Sequence, residues 1–230
     1  MMDQKINGAT HYFVDFDHTI STIDVWDSLI RICNPQQWRT VINDYVSGKI
    51  SSRVCNLELA QSITLSEEEA REIVSKIGID STFHDFVQWA EQNQSPLMIL
   101  SDGYDFYIDQ LLQSEGLDSI PVFSNRMTWT DEGIQVEFPL YKKDCERDMA
   151  HCKCQHVRRA DSGRRVYIGD GVSDSCAASK CDFVYAKRNL LEYCREHRIR
   201  HEPFDNFQDV IRHEKILLNK NRANAGAHPA

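Results

Sequence analysis

At 230 residues the chain is long enough for one sizeable core, or a core with an insertion. Its 41% hydrophobic and 27% charged residues are the balance of a soluble globular protein, and a net charge of -9 weighs against a nucleic-acid surface. No window is apolar enough for a membrane span, the N-terminus lacks a signal-peptide core, and eight cysteines do not make a disulfide scaffold at this length, so a reducing, cytoplasmic setting is expected, with no membrane partner.

In chain order, HYFVDF at 11–16 predicts a buried strand that ends in Asp15-Phe16-Asp17, with Thr19 close behind. Two carboxylates this close repel each other unless a cation or a reacting group lies between them. Residues 22–82 then carry four amphipathic stretches at helical spacing: VWDSLIRIC, QQWRTVINDYVSG, RVCNLELAQSI and SEEEAREIVSKI. Ser66 with Glu69 reads as a capping box that starts the last of them. LMILSD at 97–102 predicts a second strand, ending in Ser101-Asp102-Gly103, and FYIDQLLQSEG a helix after it. PVFSN at 121–125 reads as a third strand, and MTWTDEGIQVEF at 127–138 as a hairpin turning at Asp131-Glu132-Gly133. RVYIGD at 165–170 leads into Gly171-Val172-Ser173-Asp174 and the small-residue helix SDSCAASKC, and DFVYA at 182–186 supplies one more strand. The polar run from Asn219 to residue 230 is expected to fray.

The pattern predicts an α/β fold: a Rossmann-like open, mostly parallel sheet over 1–21 and 83–218, with a helical cap inserted at 22–82 after the first strand. Ligands bind at the C-terminal edge of such sheets. That edge would gather Asp15, Asp17, Asp170 and Asp174 with the hydroxyls of Thr19 and Ser101, the Gly103 amide and a lysine. Hard oxygen donors in this number suit Mg²⁺. Lys142, Lys143 and Lys153 all precede the fourth sheet strand. Lys153 is preferred because the helix-like CQHVRRA joins it to RVYIGD at a plausible distance.

Blander readings stand beside these. A DxD at a strand end is by itself more often a solvated turn, and Asp174 alone could be a helix N-cap. Trp26, Trp38 and Trp89 read as packing residues, with a pocket role open for a cap tryptophan. Cys145, His151, Cys152, Cys154 and His156 invite zinc, but the spacing has no CxxC pair, and free thiols near the site are favoured.

Taken together, DFDHT, SDG, a lone lysine and GDGVSD resemble, in this order, the four motifs of the haloacid-dehalogenase-like phosphatases. The likeness spans Phe13 to about Phe207. An insertion after the first motif is similar to the phosphoserine phosphatase-like subgroup with a helical cap. Within it the best likeness is to methionine-salvage enol-phosphate phosphatases, carried by the cysteine-rich stretch before Lys153 and by LLEYCREHRIRHEPFDNF.

This resemblance implies a Mg²⁺-dependent phosphomonoester hydrolase of a small phosphorylated metabolite. Asp15 would be the nucleophile and Asp17 the acid and base. Asp15, the Asp17 carbonyl, Asp170 and Asp174 would serve the metal, and Thr19, Ser101, Asp102, Gly103 and Lys153 would lie around the phosphoryl oxygens. His18 stands where many relatives have glycine, and could touch substrate or add pH dependence. Phosphoserine or another phosphometabolite is the alternative substrate, with Arg53 and Glu58 as candidates to read it. An alternative of another class is a receiver-like phospho-accepting module, which would have no use for Asp17 or for a cap. Monomer and homodimer are both compatible with the sequence.

Overall fold

Every residue from Tyr12 to Phe16 is buried, and the side chains alternate between two cores. Tyr12 and Val14 join the larger core with Phe86, Trp89 and Phe207, while Phe13 joins a smaller one with Val157, Tyr167 and Leu190. A strand covered on both faces must be apolar at every position, which is why the run is continuous. The computed structural model describes residues 9–145, 147–160 and 162–226.

The strands are β1 (Thr10–Val14), β2 (Leu97–Tyr104), β3 (Val122–Thr130), β4 (Gly133–Glu137), β5 (Arg164–Gly169), β6 (Phe183–Ala186) and β7 (His201–Pro203). They order as β4-β3-β2-β1-β5-β6-β7, parallel throughout except for the β3–β4 hairpin. Chain order reverses beside β1, so a crevice opens at the C-terminal ends of β1, β2 and β5.

Four helices fill the insertion: α1 (Val25–Cys33), α2 (Pro35–Val46), α3 (Ser52–Ala60) and α4 (Glu67–Val74). Their starts are written locally. Asp24, Asn34, Ser51 and Ser66 each accept a hydrogen bond from the first-turn amide of Asp27, Gln37, Val54 and Glu69, and Glu69 returns the bond as expected of a capping box. An antiparallel bridge between Ser21 and Ile79, beside a 3.0 Å bond from the Thr22 amide to the Gly78 carbonyl, closes the base of the insertion. The remaining helices are α5 (Phe83–Gln92), α6 (Asp105–Ser114), α7 (Cys154–Val157), α8 (Ser175–Ala178), α9 (Arg188–Glu196) and α10 (Phe207–Gly226).

The structure departs from the sequence expectation in four places. β2 does not stop at Asp102 but runs to Tyr104 through a register shift against β3, and such a bulge re-aims the side chains within it. PVFSN and MTWT form one strand, β3. The short edge strand β7 was not anticipated. Finally, the tail expected to fray from Asn219 continues α10 to Gly226, because a helix seated upstream on Phe207, Val210 and Ile211 propagates through polar residues at little cost. Residues 227–230 of that tail lie outside the described residues. Among the described residues no helix is long and apolar enough to cross a membrane.

Candidate active site

Asp15 follows the last residue of β1, and its amide still donates to the Ile168 carbonyl of β5 at 2.9 Å. The chain then turns sharply. The Phe16 carbonyl accepts from the amides of Thr19, Ile20 and Ser21, and His18 takes a left-handed φ of +56°. Glycine adopts that conformation more easily than histidine, so His18 occupies the turn under strain. Burial, then the charges of Arg188 and Lys187, lower the His18 pKa to about 4. His18 lines the pocket as a neutral ring at neutral pH, which removes it as a source of pH dependence there.

The turn sends the two carboxylates to different partners. The Asp15 carboxylate meets Lys153, Oδ1 to Nζ at 2.5 Å, and the same ammonium donates to Asp174 Oδ1 at 2.6 Å. Lys153 is therefore the lysine at this edge. Asp17 Oδ1 accepts from the Val25 amide at the start of α1 (2.9 Å), and Oδ2 from the Tyr107 hydroxyl (2.8 Å). Gly103 makes that second contact possible, because a Cβ there would lie 1.8 Å from the Tyr107 oxygen and 2.7 Å from Asp17 Oδ2.

Asp15, Asp170 and Asp174 are buried and place one oxygen each within 4.8 Å of one another. Burial, then the Asp174 and Asp170 charges, push the Asp15 carboxyl well above its usual range against the opposing Lys153. Burial alone would lower Lys153, but Asp15 and Asp174 leave its pKa raised, so the contact is an ion pair. Asp170 is lifted to about 7 by burial and by Asp174, despite a 3.4 Å contact from Arg188 at the rim. One lysine does not cancel three buried carboxylates, and the all-oxygen donor set fits a divalent cation. Asp174 differs from the other two. Its Oδ1 accepts from Lys153 and from the Tyr167 hydroxyl (2.6 Å), and its Oδ2 accepts from the Asp170 and Gly171 amides. It braces the loop that carries Asp170.

Around the acids, the Thr19 hydroxyl is buried with no partner among the described residues, so it can donate to a ligand oxygen. The Gly103 amide donates to Ser101 Oγ at 3.0 Å, leaving the serine proton to donate onward. Asp102 lines the pocket between Ser101 and Gly103. Its half-buried carboxylate accepts from the His151 amide at 2.8 Å through Oδ1. Its side chain ties β2 to the segment that carries Lys153.

The cap completes a cavity of about 340 Å³. Trp26, Trp38, Ile42, Tyr45 and Leu59 wall it, and Asp24 and Asp27 also line it. The two cap tryptophans are thus pocket residues as well as packing residues. Arg53 and Glu58 are not among the lining residues, and Arg53 instead faces Asp148. Tyr107 and Tyr167, which fix Asp17 and Asp174, were missed in the sequence because each reads as a core aromatic. The cysteines are thiols that hydrogen-bond one another, Cys152 with Cys145 and Cys154 with Cys176, and the cluster of three donors found among the described residues is Asp15, Asp170 and Asp174.

Comparison with known proteins agrees with this geometry. The family described as "Putative Phosphatase" matches residues 11–204. A Bacillus cereus protein named 2-hydroxy-3-keto-5-methylthiopentenyl-1-phosphate phosphatase is 30% identical over 211 residues, covering 90% of this chain and 96% of its own. A Brevibacillus brevis protein of the same name is 29% identical over 205 residues, covering 87% and 92%. A phosphoserine phosphatase solved as a phospho-aspartyl intermediate analogue superposes with a TM-score of 0.71 at 15% identity, over 90% of this chain and 99% of that one. A phosphoserine phosphohydrolase-like protein from Francisella tularensis gives 0.67 at 16% identity, over 88% and 98%. With the fold of the solved phosphoserine phosphatases, the chain belongs to this phosphatase family and is a hydrolase of phosphate monoesters.

Proposed function

We propose that the chain is a Mg²⁺-dependent phosphatase that works through an aspartyl-phosphate on Asp15, and that its substrate is a small phosphate ester with an uncharged, apolar tail. The methionine-salvage enol phosphate named for its relatives is the first candidate. The observation that carries the substrate reading is the cap's share of the cavity wall. It is mostly tryptophan, tyrosine and aliphatic, with Ser52, Cys55, Asn56 and two aspartates between them, and among the described residues the cap lends it no lysine or arginine, Arg188 coming from the core. A phosphoserine carboxylate would meet Asp24 and Asp27 there instead of a cation, whereas a thioether packs well on aromatic rings. Family membership weighs against the receiver-like alternative, and so does Asp17, held ready beside Asp15.

Asp15 attacks phosphorus, and the bond from phosphorus to the ester oxygen breaks. Asp17 gives its proton to the departing oxygen. Burial raises its pKa to about 6 against the bonds from Val25 and Tyr107, so a useful fraction is protonated near neutrality. Once the alcohol or enol has left, the Asp17 carboxylate takes a proton from water, the water oxygen joins phosphorus, and the Asp15 carboxylate returns. Lys153, Thr19 and Ser101 hold the phosphoryl oxygens, and the Trp26 and Trp38 walls keep other water out. A divalent cation held by Asp15 and Asp170 would neutralise the ester's charge and the repulsion between acids.

The test is phosphate release from a panel with and without Mg²⁺: phosphoserine, pyridoxal phosphate, sugar phosphates, nucleotides and the enolised methylthiopentenyl 1-phosphate. Metal-dependent turnover with the thioether ester well ahead is expected. Phosphoserine as the best substrate would refute the tail reading.

A further inference from the structure

The start of α3 is bound directly to the core segment that ends in Lys153. Ser52 is 1% exposed, and its hydroxyl oxygen accepts from the Ala150 amide at 2.8 Å. The same hydroxyl hydrogen-bonds the Asp102 carboxylate, to which the His151 amide also donates. The His151 ring holds the Ser101 carbonyl from Nδ1 at 2.8 Å. Two residues on, Lys153 makes its ion pairs with Asp15 and Asp174. A single chain of buried hydrogen bonds thus runs from the cap, through Ser52, to the phosphate-site lysine.

Outside it lies a second, wetter contact. The Ser51 hydroxyl donates to Asp148 Oδ2 at 2.7 Å, Arg53 Nε to Oδ1 at 3.3 Å, and the Arg53 guanidinium covers the Tyr141 ring. Asp148 takes a left-handed φ of +46°, which an unconstrained aspartate seldom adopts. Both members of the Arg53–Asp148 pair are about one-third exposed, so water screens it. The buried bonds of Ser52 outweigh it, because removing the hydroxyl leaves the buried Ala150 amide without its partner and the Asp102 carboxylate with one fewer.

We propose that Ser52 is a positioning residue for the phosphatase reaction: seating the cap on the core sets the Asp148–Lys153 segment, and so delivers Lys153 to Asp15 only when the chamber is closed. This goes beyond a cap that merely covers substrate. It makes the phosphate-holding charge conditional on closure, so an open site would hold a phosphoryl group poorly and waste less intermediate on stray water.

The experiment compares Ser52→Ala and Ser52→Thr with wild type in kcat and KM on p-nitrophenyl phosphate, in Tm, and in amide hydrogen exchange. Ser52→Ala is expected to lower kcat about tenfold, the worth of one buried hydrogen bond, with KM changed less than about twofold. Exchange at Lys153 and Cys154 should quicken while exchange in β1 and β5 holds, and Ser52→Thr, which keeps the hydroxyl, should recover most of the rate. Wild-type kcat and wild-type exchange in Ser52→Ala would overturn the proposal. So would a loss spread evenly over KM, Tm and exchange throughout the cap and the sheet, which is what a purely structural serine would give. Should wild type itself fail to turn over, the phosphatase reading falls, and the exchange data alone decide the coupling.

Discussion

The cap and the core start their helices in different ways. Each of α1 to α4 opens on a side chain that caps its own first turn. None of α5 to α9 has such a cap, and two of them, α7 and α8, are only 4 residues long. The cap helices carry their start signals with them, as a lobe must if it is to keep its shape while moving against its neighbour. The core helices α5 to α9 are held by the sheet and by the site, while α10 is the core's exception, with Asn206 Oδ1 accepting from the Gln208 amide at 2.9 Å. Chemistry and local self-sufficiency are thus divided between the lobes, and changes in each should have effects of different kinds.

The largest effect belongs to the core. Asp15→Asn should lower turnover by at least about 10⁴-fold, and Asp17→Asn by about 10²- to 10⁴-fold, with Tm within a few degrees of wild type in both. In Asp17→Asn a reactive ester such as p-nitrophenyl phosphate should still label Asp15, and the labelled protein should accumulate. Quenched-flow phosphate release checks both. Full turnover in Asp15→Asn would remove the nucleophile from its place.

The next effect is also the core's. In metal-free protein, burial first and then neighbouring charge hold Asp170 up to about 7, and burial holds Asp17 up to about 6. A carboxyl raised on folding binds more protons in the folded state than in the unfolded chain. Its stabilising contribution is present at low pH and is lost as pH rises through the folded value. Buried neutral histidines oppose this in the same window, since His18, His151 and His156 are held down to about 4, 3 and 4, so the acid share is isolated by Asp170→Asn: the metal-free Tm of that variant relative to wild type should rise between about pH 4 and pH 7. Acids whose pKa is lowered, such as Asp148, Asp182 and Asp209, act the other way but at more acidic pH. Mg²⁺ should recover Tm near pH 7 and do little near pH 4.5, because it needs the ionised acids. Calorimetry at several pH values reads this, and a difference between Asp170→Asn and wild type that does not grow across the window would contradict it.

The same division explains what the sequence disclosed. Asp15, Asp17, Ser101 and Asp170 were legible because each sits in a short run whose residue types make little sense without a charged ligand, and Lys153 because its distance from RVYIGD set it apart from Lys142 and Lys143. The cap helices were legible because their caps are local, as with Ser66 and Glu69. Tyr107, Tyr167 and Ser52 were not, since a buried tyrosine or serine carries no sign of which acid or amide it will meet, whether 7 residues away, as for Tyr167, or 90 and more, as for Tyr107 and Ser52. The partners of the Asp102 carboxylate were not legible either, because His151 and Ser52 are remote from it in sequence. The bulge in β2 and the short β7 arise from pairing, which no local pattern records.

In the cap the effects should shrink and change character. Trp38→Ala removes an aromatic wall of the chamber without touching the acids. It should raise KM for an ester with an apolar tail about tenfold, and leave KM for a short polar ester within about twofold, since one apolar contact of this kind is worth about 1–3 kcal/mol. Equal losses on both esters would mean that Trp38 supports the cap's shape and not its selectivity.

The smallest effect tests the cap's independence. The Ser66 hydroxyl accepts from the Glu69 amide at 3.3 Å, while the Glu69 carboxylate accepts from the Ser66 amide at 2.9 Å. Ser66→Ala breaks the box at the start of α4, on the solvent side and away from the acids. N-cap serine to alanine costs about 1 kcal/mol. In a chain of this size that lowers Tm by about 2–4 °C. If α4 is specified locally and the core holds the chemistry, kcat should be unchanged, and faster hydrogen exchange should be confined to the first turn of α4. A loss of kcat beside so small a loss of stability would show that α4 helps to set the closed chamber, and that the lobes are less separate than their helix starts indicate.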